Sequence, residues 1–349
     1  MQITFLFLLV KITLFFGESA ANKLIKLILK KNNFYYIEEN YNFFTKFKTN
    51  SLVLLLPGKG CSWAKATGGC TMCSLYYEAN QYSKKVKSND LIKLYKIAFL
   101  LTISAKPFSL IIYNGGSFLN DEEIPADIQL RIIELVSQHP TIKEVLIESR
   151  VEYINTERIK LFKKILGNKI LKIGIGLESS NNKIRNEYIR KGLKIEDYDK
   201  TVNFLKELKV KILTYIFIKP ILVSEKEAIE DAIKSTKYAF DRGSDEVALE
   251  CAFVQPHTKM AALYAEGKYK PPWLWSIIEV IKQIHNFGNI RVGRFIDIPP
   301  PIDIPHNCLK CNMIVEEAIE NYRLTNNIKN LKDLNCDCKK QWLEELSKS

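Results

Sequence analysis

Short apolar runs and amphipathic segments alternate along most of the chain. Six runs rich in Leu, Ile and Val predict strands at residues 51–56, 109–113, 144–148, 171–177, 211–218 and 245–251. Five segments between them space their apolar residues as helices do, at residues 90–102, 124–137, 156–166, 197–208 and 225–240. Strands buried on both faces and separated by helices are typical of parallel sheets. The pattern therefore predicts an α/β fold, an open, partial parallel β/α barrel of about six strands.

Three regions follow from where this alternation begins and ends. Residues 1–50 precede the first run, and we expect them to form a helical extension rich in basic and aromatic residues. Residues 51–295 form the barrel core. A proline-rich stretch at 297–305 is stiff and extended, and it marks the boundary of a small cysteine-rich region at 296–349.

The N-terminal part contains an apolar segment at residues 3–16. It is too short to span a bilayer and lacks the basic start of a signal peptide. We therefore expect a packed helix or an over-extended start there, not an exported or membrane-anchored protein. Seven of the eight cysteines fall in two tight groups, unlike the scattered pairs of a secreted disulfide scaffold. This favours a cytoplasmic protein.

The composition is ordinary for a globular protein, but the 349 residues carry a formal net charge of +12. A basic surface gains affinity for polyanions by releasing their counterions, so RNA or DNA is the expected partner. A lysine-rich genome background is the alternative explanation. Seven aromatic residues between positions 34 and 47 could stack on bases, although such a dense group is more often a core stripe.

Three cysteines on one glycine-rich loop, Cys61, Cys70 and Cys73, follow the first predicted strand. Closely spaced thiolates can converge on one soft metal centre, and three of them leave one iron of a 4Fe-4S cube without a protein ligand. A structural zinc site normally has four protein ligands, which makes zinc or free thiols the weaker interpretation. An open iron implies catalysis.

Four further cysteines lie in the C-terminal region as two close pairs, Cys308 with Cys311 and Cys336 with Cys338. Two pairs joined by a short loop and helix can fold back around one metal and give a closed site. We expect structural zinc, with an auxiliary iron-sulfur cluster as the alternative. A metal would also fix the fold of a region too small to bury much apolar surface.

Other candidate residues follow the predicted strands. Gly115 and Gly116 come after the second strand, where the backbone could approach a ligand closely. Glu148 ends the third strand and Glu178 the fourth, and carboxylates at such positions suit ribose hydroxyls or an ammonium group. A basic run at residues 183–191 follows Glu178, although a solvated helix face is the usual explanation of such a run.

Together these features resemble the archaeosine-biosynthesis radical S-adenosylmethionine (SAM) family, which is related to the catalytic subunit of the Elongator complex. The resemblance covers roughly residues 50 to 345. Its most specific parts are the stretch 269–276 and the segment 307–311. The others are Gly60-Cys61-Ser62-Trp63-Ala64, Gly69-Cys70-Thr71-Met72-Cys73, Gly116-Ser117-Phe118-Leu119, Gly176-Leu177-Glu178 and Lys219-Pro220. The chain departs from many radical SAM enzymes outside this family at Ser117, where they have Glu.

The resemblance implies a 4Fe-4S cluster on the three loop cysteines, with SAM bound at the free iron. It places Gly115 and Gly116 along the methionine part of SAM, Glu178 at the ribose and the Met72 backbone at the adenine. Arg150 and Arg190 are candidates for the methionine carboxylate.

The reaction implied by the resemblance takes place on tRNA. A lysine attached to a 7-cyano-7-deazaguanine base in the D-loop is cleaved, and its nitrogen stays behind as the formamidine of archaeosine. A transglycosylase-like enzyme that attaches the lysine is a further expected partner. Two alternatives stay open from the residues. One is a radical SAM enzyme acting on another tRNA base or substrate, and the other is a non-catalytic RNA-binding protein with iron-sulfur or zinc sites.

Overall fold

A computed structural model describes residues 35–56, 59–74, 105–297 and 300–348, together with a few positions between 77 and 99. Within this part, eight strands form one sheet in sequence order. They are β1 Tyr35–Asn42, β2 Phe47–Leu55, β3 Ser109–Tyr113, β4 Glu144–Glu148, β5 Ile170–Glu178, β6 Lys211–Ile218, β7 Glu246–Cys251 and β8 Asn289–Val292. Strand β1 is antiparallel to β2, and all later pairs are parallel. The sheet curls into an open half-barrel, which confirms the predicted fold class.

Helices connect the parallel strands. The described ones are α1 Ser62–Thr67, α2 Ala126–Gln138, α3 Thr156–Leu166, α4 Ile195–Glu207, α5 Glu225–Arg242, α6 Lys259–Ala265, α7 Leu274–Ile284, α8 Asn312–Thr325 and α9 Lys339–Ser347. Short 3-10 turns lie at Val151–Tyr153 and Ile328–Leu331, and a π-helical turn at Ile184–Tyr188. Four predicted helical segments are confirmed, and most of the fifth, 90–102, lies outside the described residues. None of the described helices is long and apolar enough to cross a membrane.

Local sequence explains where the longest described helix begins and ends. Ser224 caps α5 by accepting from the Glu227 amide at 3.3 Å, while the Glu227 carboxylate accepts from the Ser224 amide at 2.9 Å. This reciprocal pair satisfies two of the amides that a helix start leaves without partners. Gly243 ends the helix with a φ of +112°, a conformation that residues with a Cβ rarely adopt.

Two of the eight strands, β1 and β8, were not among the six predicted. Strand β1 and the first part of β2 occupy residues 35–50, which we expected in a helical extension. The predicted boundary at residue 50 therefore falls inside β2. Residues 1–34 lie outside the described part. Among the aromatic residues of this hairpin, Phe43 is buried whereas Phe44 and Phe47 are exposed. The group is therefore neither a continuous core stripe nor a uniformly exposed surface.

Ion pairs fill the barrel at the amino ends of its strands. The buried Lys172 ammonium lies 3.1 Å from the Glu144 carboxylate and also pairs with Glu246. Arg291 pairs with the same Glu246 carboxylate at 2.5 Å. Burial alone would raise the pKa of Glu246, but Arg291 and Lys172 lower it to about 2. These contacts place buried, paired charges at the amino end of the barrel, opposite the end that carries the three loop cysteines.

The cysteine-rich region packs against the barrel helices. Buried side chains of α8 and α9, including Val315, Tyr322 and Trp342, belong to the same hydrophobic cluster as the outer faces of the strands. Helix α8 also contacts the edge strand β1, where the Arg323 guanidinium donates to the Glu39 carbonyl at 3.0 Å. The C-terminal region therefore shares a core with the barrel.

Candidate active site

The three loop cysteines lie after the carboxyl end of β2. Cys61 directly precedes the short helix α1, and Cys70 and Cys73 follow it. The chain turns sharply after α1 through Gly68 and Gly69, which both have positive φ. All three cysteine side chains are partly exposed, and no disulfide joins them. The loop thus presents three thiols at the edge of the sheet where barrel enzymes place their chemistry.

Backbone contacts on two sides fix the second half of this loop. Thr71 donates from its amide to the Ile189 carbonyl at 2.9 Å and from its hydroxyl to the Tyr188 carbonyl at 2.8 Å. The Met260 amide, in α6, donates to the Thr71 carbonyl at 3.0 Å. Met72 packs partly buried against an apolar cluster that includes Ile189. Cys70 and Cys73 are therefore held by segments that follow β5 and β7.

Gly116 lies directly against Cys61. A Cβ at position 116 would come within 3.1 Å of the Cys61 Cα and would collide with the Glu123 carboxylate. Gly115, the preceding residue, has a φ of +64°. The predicted close approach of this glycine pair is therefore to the cysteine loop itself, which brings the two loops to one place.

Glu123 joins these two loops, and the sequence did not single it out. Its buried carboxylate accepts from the Ser62 amide at 2.9 Å and from the Ser117 amide at 2.6 Å. The Asn120 side chain donates to the same carboxylate at 3.0 Å and to the Ser62 hydroxyl at 2.9 Å. Charge-assisted bonds to backbone amides are strong, so Glu123 fixes the start of α1 relative to Gly116.

Glu178 lies at the end of β5 as predicted. It is buried and adopts a φ of +64°, next to an irregularity in the pairing with β6. Its carboxylate accepts from the Lys191 ammonium at 2.7 Å, and the pair lies against Gly176. Burial lowers the pKa of Lys191, but Glu178 and Cys70 outweigh burial and raise it overall. Lys191 therefore stays charged, close to the cysteine loop.

The pKa of the Cys70 thiol depends on the same two charged groups, Lys191 and Glu178. Burial raises its pKa, and Lys191 partly opposes that effect. Lys191 stabilises the thiolate that a metal requires, because an ammonium favours the ionised form of a nearby thiol. This role could not be recognised from the sequence, because the basic run around Lys191 is typical of a solvated helix face.

Arg150 and Arg190 brace the helix α1. The Arg150 guanidinium lies 4.7 Å from the Trp63 ring centroid, donates to the Lys191 carbonyl at 2.9 Å and pairs with Glu152 at 2.5 Å. Arg190 donates to the Thr67 carbonyl at 3.1 Å, while its own carbonyl accepts from the Trp63 indole at 3.0 Å. Much of their hydrogen-bonding capacity is used in this way. Their contact with a methionine carboxylate stays a prediction.

The four C-terminal cysteines form a compact group. Their sulfur atoms all lie within 4.8 Å of one another. The separations are 3.5 Å for Cys308 and Cys336, 3.6 Å for Cys311 and Cys338, and 3.7 Å for Cys308 and Cys311. A tetrahedral zinc with Zn–S bonds of about 2.3 Å requires sulfurs about 3.8 Å apart. The geometry fits one ion better than a cube, in which each thiolate bonds a different iron.

Three tryptophan side chains attach this cysteine group to the barrel. The Trp275 indole donates to the Cys338 sulfur at 3.4 Å, and the Trp342 indole donates to the Ser276 hydroxyl at 2.8 Å. The Trp273 indole donates to the Glu345 carboxylate at 2.9 Å. The stretch 269–276, one of the most specific parts of the family resemblance, thus holds the metal-binding region in place.

Comparisons with known proteins identify relatives of the chain. No protein-family model matches the chain. The chain is 31% identical over 304 residues to archaeosine synthase subunit beta of Methanosarcina acetivorans, and the match covers 86% of each protein. The chain belongs to this family. It is also 28% identical to archaeosine synthase subunit beta of Thermococcus kodakarensis, over 84% of this chain and 90% of that protein.

Solved structures show the same fold. An archaeal Elp3 from Methanocaldococcus infernus, lacking its N-terminus, aligns with a TM-score of 0.50 and 19% identity, over 67% of this chain and 59% of that one. SuiB of Streptococcus suis, bound to S-adenosylmethionine, aligns with a TM-score of 0.50 and 13% identity, over 78% of this chain and 54% of that one. The fold is the open β/α barrel of radical SAM enzymes.

Proposed function

We propose that the protein is a radical SAM enzyme that cleaves a lysine adduct on a 7-deazaguanine base in the tRNA D-loop, giving archaeosine. Two relatives that bear the name archaeosine synthase subunit beta support a role in this modification of tRNA. The observation that carries the proposal is the convergence of Cys61, Gly116 and Glu123 at the carboxyl edge of the barrel, with Cys70 near Lys191 and Glu178.

The donor set fits a 4Fe-4S cluster with an open iron. Three thiols share one loop, and Gly116 leaves the space beside Cys61 free of a side chain. The cluster and SAM, when bound, supply the radical that removes a hydrogen atom from the substrate. We propose that Cys61, Cys70 and Cys73 hold the cluster.

The other predicted contacts to SAM are part of the same proposal. Gly115 and Gly116 line the methionine part, the Met72 backbone meets the adenine, and Glu178 binds the ribose. Lys191 fixes the Glu178 carboxylate. We propose that the barrel excludes water from the radical. Arg150 and Arg190 remain candidates for the methionine carboxylate.

The C-terminal region completes the proposed cofactor set. We propose that Cys308, Cys311, Cys336 and Cys338 bind one structural zinc ion, because their sulfur separations match a tetrahedral site. An auxiliary cluster, which could accept an electron from the substrate radical, is the rival interpretation.

Partners and location follow from the same proposal. The name of the relatives, subunit beta, supports a complex with a second subunit, for which we propose the transglycosylase-like enzyme that attaches the lysine. Such a complex would pass the adduct directly to this barrel. Its place of action would be the cytoplasm, where tRNA is modified.

Replacing Glu178 by alanine is expected to leave the cluster absorbance intact and to weaken SAM binding about tenfold, because a carboxylate bond to a ribose hydroxyl is lost. Equilibrium SAM binding to the anaerobically reconstituted protein measures the effect. Glu157→Ala, on the exposed surface of α3, is the matched control. Unchanged SAM affinity in the Glu178 variant would remove this residue from the site.

Binding of tRNA is expected to depend steeply on salt. The net charge of +12 indicates several phosphate contacts, each of which releases a counterion on binding. The affinity should fall at least about tenfold between roughly 50 and 200 mM salt, measured by filter binding. An affinity that stays flat over this range would contradict an electrostatic interface with tRNA.

The proposed function is tested by coupling SAM cleavage to substrate. The reconstituted protein with SAM and dithionite should form 5′-deoxyadenosine faster when tRNA carrying the lysine adduct is added than when unmodified tRNA is added. Equal stimulation by both tRNAs would favour another tRNA base as the substrate. No 5′-deoxyadenosine under any condition would favour a non-catalytic RNA-binding protein.

A further inference from the structure

Two glutamates face the interior of the barrel above its apolar layer. The inner face of the sheet buries a small cluster that includes Leu146 in β4 and Ala248 in β7. Side chains alternate along a strand, so Glu148 and Glu250, two residues further on, point to the same interior. Both lie nearer the carboxyl end, on the side of the cysteine loop. Each is partly accessible, not sealed in the core.

A glycine lies directly against each of these two glutamate side chains. A Cβ at Gly174, the β5 partner of Glu148 in the sheet, would come within 3.2 Å of the Glu148 Cγ and 2.8 Å of the Tyr215 ring. A Cβ at Gly293 would lie 2.6 Å from a Glu250 carboxylate oxygen. Each carboxylate therefore rests against a strand or a loop that has no side chain there.

Neither carboxylate has a cation partner in the described part of the chain, unlike other acids of the barrel. Glu178 pairs with Lys191, Glu246 with Lys172 and Arg291, and Glu225 with Lys219. Among the described residues, no ion pair of this kind involves Glu148 or Glu250. Burial raises the pKa of Glu148 to about 7, although a hydrogen bond with Tyr215 and the Lys191 charge partly oppose the rise. Burial raises the pKa of Glu250 to about 8, and the nearby carboxylates of Glu148, Glu178 and Asp297 raise it further. Neighbouring carboxylates without a counter-ion disfavour the ionised form, and a bound cation would favour it.

An orphan acceptor beside this pair points to the same kind of ligand. Gln255 is 3% exposed, and its side-chain nitrogen donates to the Asp297 carboxylate at 2.7 Å. Its side-chain oxygen is buried and has no hydrogen-bond partner within the described residues. Asp297 lies close enough to Glu250 to raise its pKa, which places the Gln255 amide at the same part of the interior. A buried acceptor without a donor can accept a hydrogen bond from a bound group.

The chemistry of the missing ligand follows from these groups. Phosphate is excluded because the site offers acceptors and negative charge. A metal ion is disfavoured, because Glu148 and Glu250 do not belong to a close group of metal ligands. Among the described residues, only the four C-terminal cysteines bring three or more ligand atoms within 4.8 Å of one another. An organic ammonium group carries a positive charge and several N–H donors. It can therefore bind carboxylates that are too far apart to share one metal ion.

We propose that Glu148 and Glu250 bind the free ammonium group of the lysyl moiety of the substrate inside the barrel. This inference rests on the proposed function, which supplies a lysine whose other nitrogen is joined to the base. Binding of the lysyl α-ammonium group by the two glutamates would align the lysyl side chain with the barrel axis. The carbon next to the amidine nitrogen would then lie near the cysteine loop. Recognition of the charge would also distinguish the lysine adduct from the unmodified base.

The test compares two adducts that differ only in this charge. Cadaverine and n-pentylamine are attached in place of lysine to the 7-cyano-7-deazaguanine of the tRNA, so that one ends in an ammonium and the other in a methyl group. Dissociation constants are measured for the full-length, cluster-reconstituted protein with SAM and without reductant. We expect the wild-type protein to prefer the cadaverine adduct at least about tenfold, because a charged hydrogen bond inside the barrel is lost without the ammonium.

Conservative variants assign that preference to the two glutamates. Glu148→Gln and Glu250→Gln keep the side-chain shape and should each reduce the preference at least threefold, and the double variant should abolish it. Glu134→Gln, on the exposed face of α2, should leave it unchanged. A preference that survives in the double variant overturns the inference.

Turnover of the lysine-adduct tRNA separates the inference from the proposed function. If the wild-type protein cleaves this adduct but binds the cadaverine and n-pentylamine adducts equally, the function stands and the ammonium site is wrong. If the glutamates give the preference but no adduct is cleaved, the ammonium site stands and the proposed function is wrong.

Discussion

Replacing Cys61, Cys70 and Cys73 together by alanine is expected to remove the cluster absorbance and all SAM cleavage. Each thiol supplies one ligand to the proposed cluster, so a single replacement should already remove most of the absorbance. Anaerobic reconstitution followed by visible spectroscopy, iron analysis and chromatography of 5′-deoxyadenosine measures both effects. The expected loss is the largest that we predict, because no other group in the proposed mechanism starts the chemistry.

Cys251→Ala provides the control for this experiment. Cys251 is a buried core residue at the end of β7, and its thiol belongs to neither cysteine group. The control variant should bind iron and cleave SAM as the wild-type protein does, at a small cost in stability. Production of 5′-deoxyadenosine by the triple alanine variant would contradict the assignment of the cluster to the loop.

Loss of the proposed C-terminal metal is expected to destabilise the whole protein. Cys311 and Cys338 are buried in the core shared by the tail and the barrel, with their sulfur atoms 3.6 Å apart. Cys311→Ala therefore removes a proposed ligand and leaves a small cavity in this core. Structural zinc sites contribute their binding energy to folding. The midpoint of thermal unfolding should fall by about 10 °C, on the scale of several kcal/mol. Cys251→Ala again serves as the control.

Metal analysis identifies the ion. The anaerobically purified protein should contain four irons and one zinc per chain if the loop holds a 4Fe-4S cluster and the tail holds zinc. About eight irons without zinc would overturn the structural interpretation and make the tail part of the redox chemistry. Cys311→Ala should lose the zinc and retain the four irons.

The sequence predicted the parts of the fold that have strong apolar periodicity. The six central strands are nearly continuous apolar runs and stand out for that reason. Strand β1 was missed because it lies at the sheet edge and mixes aromatic and polar residues without a continuous apolar run or a regular alternation. Strand β8 has only four residues, and one of them is Arg291, whose charge is neutralised inside the barrel by Glu246.

The candidate site was predicted only where residue chemistry is distinctive. Cysteines and paired glycines could be recognised along the chain, and the structure brings Gly116 against Cys61. Glu123 was missed because it ends an acidic run that looks like an ordinary surface loop. Lys191 was missed because its partner, Glu178, lies 13 positions away and meets it only through the turn after β5. Such pairs depend on tertiary structure and leave no periodic signal.

The most direct measurement of the central claim is mass spectrometry of the modified tRNA. The reconstituted protein is incubated anaerobically with SAM, dithionite and tRNA carrying the lysine adduct, and the digested nucleosides are analysed. We predict that the adduct nucleoside disappears and archaeosine appears in its place, and that the triple alanine variant of the loop cysteines leaves the adduct intact. Recovery of unchanged adduct from the wild-type protein, while 5′-deoxyadenosine is formed, would contradict the claim that this adduct is the substrate.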